Sequence, residues 1–198
     1  MALEDIHVRW SALIALLFLA ACTTSPPSNP ANACVIFDEK GGWFNNWYRH
    51  ASRVEKEFNI PKSVMLATIW QESRFQARAR PPRTRLLWVI PWRRPSSAYG
   101  FAQAQDGTWA WYQRETGRMN AKRRRFRDAI HFVGWYHDHS ARTIGLPRDD
   151  AYSLYLAYHE GHGGFRRRTF EQKPWLMDVA RRVQRRANEY ERQLARCR

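Results

Sequence analysis

The chain has 198 residues, enough for one domain with a core of its own, and its 44% apolar content excludes a disordered polar chain. It carries 33 Lys and Arg against 18 Asp and Glu, net +15. A charge of that size points to an anionic partner, of which nucleic acid is the usual one.

The first residues read as a targeting segment, not as structure. The apolar run at residues 10–20 is too short to span a bilayer comfortably. It leads into Leu19-Ala20-Ala21-Cys22. This resembles a bacterial lipobox, in which small residues precede a cysteine that is lipidated and becomes the new N-terminus. The positive region before the run departs from the pattern, because Glu4 and Asp5 offset Arg9. The resemblance implies a signal peptide over residues 1–21 and membrane attachment through lipidated Cys22. Thr23 in place of Asp after the cysteine implies an outer-membrane lipoprotein facing the periplasm. Without residues 1–21 the chain keeps 32 basic and 16 acidic residues, net +16. An exported protein seldom meets nucleic acid, so no nucleic-acid partner is expected. Lipid headgroups, lipopolysaccharide and cell-wall carboxylates remain. Residues 22–41 read as a flexible tether, its polar, Pro-rich part (23–33) needing no fold. Cys34 and Cys197 lie near the two ends of the folded part. They either pair as a disulfide in that oxidising compartment or stay as free thiols.

Residues 42–198 then form the domain. Trp43, Trp47, Ala51, Val54 and Phe58 fall at helical spacing and predict a helix over 43–58. Asn59-Ile60-Pro61 ends it and opens the next, 61–72, with Pro61 in the first turn, where its missing N–H costs nothing. Met65, Thr68, Ile69 and Glu72 share one face of that helix. A carboxylate on a core-facing stripe needs a partner or a purpose. Either Glu72 pairs with an arginine at the core edge, or desolvation raises its pKa until it is a proton donor near neutral pH. Prolines exclude a long helix over 77–97, where residues 86–90 predict a short strand, half of a small hairpin, and the segment is either an ordered flap or a mere insertion. Trp88 and Trp92 there are suited to stacking on sugars, and the neighbouring arginines to meeting carboxylates. Helices follow over 108–116, stopped by Gly117, and over 123–144, with Phe126, Ala129, Ile130, Val133, His137, Ala141 and Ile144 on one face. The next starts at Asp149-Asp150 and stops at Gly161-His162-Gly163-Gly164. The last begins at Pro174 with a seam of Leu176, Ala180, Val183, Ala187, Tyr190 and Leu194 and an arginine-rich solvent face. The fold class is mainly α, with at most a small β-hairpin, and the expected state is a monomer.

Three segments stand in order: Glu72-Ser73-Arg74-Phe75, Gly100-Phe101-Ala102-Gln103 and Ala157-Tyr158-His159-Glu160-Gly161. Together, behind a lipobox, they resemble the soluble lytic transglycosylase (SLT) family. Its pattern is Glu-Ser-x-Phe, then Gly-x-x-Gln, then Ala-Tyr-Asn-x-Gly. The resemblance implies a lysozyme-like fold, Glu72 as the catalytic acid, and peptidoglycan glycan strands as the substrate. It also implies that the 100–103 backbone lines the cleft opposite Glu72. Ser73 would bond the carboxylate or nearby backbone, or be a plain helix-end serine. Gly100 would let backbone approach a ligand, beside Phe101, and Gln103 can donate to and accept from sugar substituents. Tyr158 would bond Glu72 or the sugar, or be a core tyrosine. His159 and Glu160 replace the family's Asn and small residue. His159 can still donate to an N-acetyl oxygen. Glu160 faces solvent, pairs with an arginine, or is a second catalytic carboxylate.

Two-carboxylate glycosidases need a second acid. The family's route instead uses one Glu twice. It protonates the oxygen between N-acetylmuramic acid (MurNAc) and N-acetylglucosamine (GlcNAc), then takes the MurNAc C6 hydroxyl proton as a 1,6-anhydro ring closes. No metal or organic cofactor is expected. His131, His137, His139, His159 and His162 do not give the i, i+4 pair of a zinc helix. The alternatives are a wall-binding lipoprotein that does not cut and a hydrolytic lysozyme on the same fold.

Overall fold

The computed structural model describes residues 25–197 apart from 44, 84, 87–89 and 92–94, and only the backbone at 85–86 and 90–91. The expected signal peptide, Cys22, Trp88 and Trp92 lie outside the described residues.

Seven α-helices carry the described fold: α1 (Ala33–Glu39), α2 (Trp47–Phe58), α3 (Lys62–Ser73), α4 (Asp106–Thr116), α5 (Phe126–Ile144), α6 (Ala151–Arg166) and α7 (Pro174–Leu194). Between α3 and α4, β1 (Arg85–Leu86) pairs antiparallel with β2 (Ile90–Pro91), Leu86 opposite Ile90. The mainly α class with one small hairpin is the class found.

α3 is the centre. It packs along α7 and against α2, α5 and α6, and every residue from Ser63 to Trp70 is buried. The stripe of Met65, Thr68 and Ile69 is therefore not a single core face, because the helix is enclosed all round. α5 is likewise buried well beyond its predicted face, since α2, α3, α4 and α6 all contact it. At Gly134 a Cβ would come within 2.4 Å of Val54 Cγ1, so glycine permits the close crossing of α5 over α2. The seam of α7 packs inward at Leu176, Ala180, Val183, Ala187 and Tyr190, each large side chain contributing about 2 kcal/mol through burial.

The flexible tether expected to reach residue 41 is corrected by the structure. Asn32 caps α1 by accepting from Cys34 N–H and Val35 N–H, and Ala33, Ile36 and Phe37 are buried. Ala33 N–H donates to Gln193 Oε1 at 2.7 Å, and Tyr190 Oη donates to Pro30 C=O. So short a helix is marginal alone; its docking on α7, a tertiary effect, holds it. Cys34 and Cys197 are joined by a disulfide, their Cα atoms 5.7 Å apart.

α2 begins at Trp47 and not at Trp43, because the Asn46 side chain accepts from Arg49 N–H and caps it there. A Gly41–Asn46 bridge closes the preceding turn and leaves Trp43 87% exposed. α6 passes its predicted stop: Gly161, at φ 71° and ψ 161°, kinks the helix without ending it.

Candidate active site

α3 ends at Ser73 because Arg74 and Phe75 both take left-handed φ, 52° and 60°. Such angles are strained for these residues. They are held by burying Phe75 against Trp47 and by seating the Arg74 guanidinium 3.7 Å from the Trp70 ring centre. Glu72 thus occupies the last turn of a fully packed helix and opens into a cleft of about 540 Å³. Gln103, Phe132, Tyr136, Tyr158 and His159 line the same cleft.

Among the described residues the Glu72 carboxylate accepts one hydrogen bond, from Tyr155 Oη at 2.9 Å. Burial pushes its pKa up from 4.5 to about 7, against the opposing effect of the Tyr155 hydroxyl. Near neutral pH this side chain is divided between acid and base, the condition for moving a proton in both directions. Tyr155 is the residue that sequence reasoning missed. Its signal was spacing: it lies three residues before Tyr158 and so on the same helical face.

Tyr158 donates to Ala102 C=O at 2.5 Å, not to Glu72. It pins the 99–104 loop to α6, and Gln103 reinforces that loop. Gln103 Nε2 donates to Ala79 C=O at 3.0 Å and to Gly100 C=O at 2.8 Å. Both amide hydrogens are therefore used within the protein, which leaves the amide oxygen to accept. An isolated Tyr99–Ala104 bridge closes the loop.

Three expected substrate contacts do not reach the cleft lining. Ser73 is buried and its hydroxyl donates to Ile69 C=O at 3.2 Å, the backbone alternative. Gly100 is buried at φ 77°, and a Cβ there would sit 2.2 Å from Arg123 C=O. Its close approach is to this protein's own backbone, not to a ligand. Phe101 is 1% exposed, packed edge-on against Trp47 and Phe126.

The third motif divides its roles. His159 lines the cleft, its ring packed edge-on with half-exposed Trp175, the ring centres 5.4 Å apart, an aromatic surface that the motifs did not mark. Glu160 touches the same cleft but is committed elsewhere. It accepts from Lys173 Nζ at 2.7 Å and from the Thr169 hydroxyl, and His159 Nδ1 lies 3.1 Å from it. Burial works to raise its pKa, yet these partners together hold it down to about 2. A second carboxylate would have to act ionised, as base or nucleophile, and one whose oxygens are already taken by Lys173 and Thr169 is poorly suited to either.

The histidines are spread among structural roles. His137 is fully buried against Thr68 Oγ1 at 2.9 Å, and burial lowers its pKa to about 3. His131 meets Tyr112 Oη at 2.9 Å, and His162 meets Ser140 Oγ at 2.9 Å. Among the described residues no three His, Cys, Asp or Glu gather as a metal site.

No curated protein matches the chain. The family model described as Transglycosylase SLT domain matches residues 10–197. That span takes in the helix bearing Glu72, the 99–104 loop and the kinked α6, and the chain belongs to the transglycosylase SLT domain family, with its mainly helical, lysozyme-like fold.

Proposed function

We propose that the protein is a peptidoglycan lytic transglycosylase in which Glu72 acts first as acid and then as base. Protonated Glu72 gives its proton to the oxygen of the MurNAc–GlcNAc β-1,4 bond, and the bond from MurNAc C1 to that oxygen breaks. The substrate's N-acetyl group stabilises the cationic centre. The MurNAc C6 oxygen then bonds C1, and Glu72 recovers the hydroxyl proton, so no water is consumed and the product ends in a 1,6-anhydro ring. Tyr155 holds the carboxylate in place. The Gln103 amide oxygen and His159 are positioned for sugar substituents, while Tyr158 keeps the opposite wall in register. The carrying observation is a single half-buried carboxyl with its pKa near 7, in a cleft whose other carboxylate is locked in an ion pair. Residues 1–22 are read as a lipoprotein signal and its lipidated cysteine, placing the enzyme on the outer membrane facing the wall.

Mass spectrometry of digested peptidoglycan tests the reading. Anhydro-muropeptides are expected from the native protein and are lost with Glu72→Gln, kcat falling by at least about 1000-fold as the acid is removed. Reducing-end products would make it a hydrolase, and full activity in the variant would remove Glu72 from the chemistry.

A further inference from the structure

A concavity larger than the cleft lies outside it. It measures about 960 Å³ and has Ser25 and Pro26 on its rim. The 99–104 loop divides the two spaces, since Phe101 lines this one and Gln103 the other. Its walls carry Arg78, Arg124, Arg125 and Arg127, and no Asp or Glu lines it. Arg127 reaches Asp128 at 3.3 Å. The side chains of Arg78, Arg124 and Arg125 are exposed and have no hydrogen bond or ion pair among the described residues. His50 stands in the same wall. Its pKa is lowered by burial first and then by Arg127 and Arg53.

Two further observations say what such a surface meets. Ser25 stands three residues after Cys22, a stretch of chain that spans about 10 Å at most. A lipid on Cys22 therefore keeps this concavity within about 10 Å of the headgroups, close to the Debye length of about 8 Å in physiological salt. Trp43 is 87% exposed at the tip of the turn that continues into Asn45, a wall residue. An exposed Trp beside unpaired arginines suits the boundary between water and lipid, where the ring sits at headgroup depth and the guanidinium groups bind phosphate.

We propose that this arginine-lined concavity is a membrane-docking face that binds the phosphates of anionic lipids while Trp43 enters the headgroup layer. The inference rests on the lipoprotein reading for its geometry. Docking here fixes how the domain sits on the membrane, so that the cleft across the 99–104 loop is presented in one orientation.

The test uses the full chain carrying Cys22→Ser, which cannot be acylated, and vesicles of phosphatidylcholine with or without phosphatidylglycerol. Sedimentation should show preference for the anionic vesicles. Arg78→Ser, Arg124→Ser and Arg125→Ser together should weaken that binding by about 100-fold, at roughly fivefold per charge. The control, Arg181→Ser, Arg182→Ser and Arg185→Ser on the solvent face of α7, removes the same charge and should stay within about threefold. Equal binding to both vesicle types, or equal loss in both triple variants, overturns the proposal. Acylation is read separately, by mass spectrometry of the protein extracted from membranes. An unmodified Cys22 there removes the anchor without altering the vesicle result, so the two failures are distinguishable.

Discussion

Glu72 is held where its charge is costly, and two measurements follow from that. The proposed acid form disappears as pH rises through its pKa, so kcat/KM should fall above about pH 7. Tyr155 favours the ionised form by donating to it. Tyr155→Phe should therefore move the descending limb of the pH profile upward by roughly one unit. A variant that merely damaged the fold would lower activity without moving the limb. The second measurement is stability. A carboxyl raised from 4.5 to about 7 binds its proton more tightly in the folded state, so its contribution is complete below pH 4.5 and lost as pH rises through 7. Glu72→Gln, never ionised, should be more stable than the native protein at pH 8 by up to about 3 kcal/mol and no more stable at pH 4. Melting temperatures at the two pH values check this, and an equal shift at both would place the effect outside ionisation. Glu72 was legible in the sequence because a carboxylate on an apolar stripe is a physical anomaly. Ser73 takes the backbone bond that was one of its two readings, while Gly100 and Phe101, expected at the cleft, pack within the protein, because spacing does not reveal which groups already have partners.

The elements around the cleft act through their ends. α3 presents its last turn, the 99–104 loop presents Gln103 and Ala104, and α6 presents a kink. The loop depends on Gly100, whose positive φ and contact with the Arg123 backbone leave no room for a side chain. Gly100→Ala should cost about 2–4 kcal/mol in urea unfolding and lower kcat/KM as Gln103 and the Ala102–Tyr158 bond shift. A variant with native stability would mean that the loop relaxes freely. Helices with one-sided patterns, α2 and α7, were read nearly correctly from sequence. α3 and α5 were read as having one buried face and are enclosed, because periodicity reports contrast and a central helix has little. The end of α6 was placed early, at the glycine-rich run 161–164, because such a run usually signals a stop. Here Gly164 packs on, within 3.1 Å of Thr169 Oγ1 for an added Cβ, and the chain continues across the kink.

At the scale of the whole molecule, the first and last parts of the described chain form one structure. α1 docks on α7, Arg186 and Tyr190 donate to the backbone of residues 30–31, and Cys34 is bonded to Cys197 across a separation of 163 residues. Closing so long a loop restricts the unfolded chain strongly. Cys34→Ser with Cys197→Ser should lower unfolding free energy by about 2–5 kcal/mol, measured by denaturant titration and matched by reduction of the native protein. Activity at low temperature should be retained, because the disulfide lies away from the cleft lining. The pairing partners were visible in the sequence as two leftover cysteines. The docking of α1 was not, since it depends on surfaces brought together from opposite ends of the chain.

That junction has a consequence for topology. The polypeptide enters and leaves the fold at neighbouring points, so its architecture has no privileged first residue. A circular permutant, bridged by a short linker across residues 33 and 197 and opened at the exposed turn around Gly117, would face the same helix-packing problem and admit the same solution.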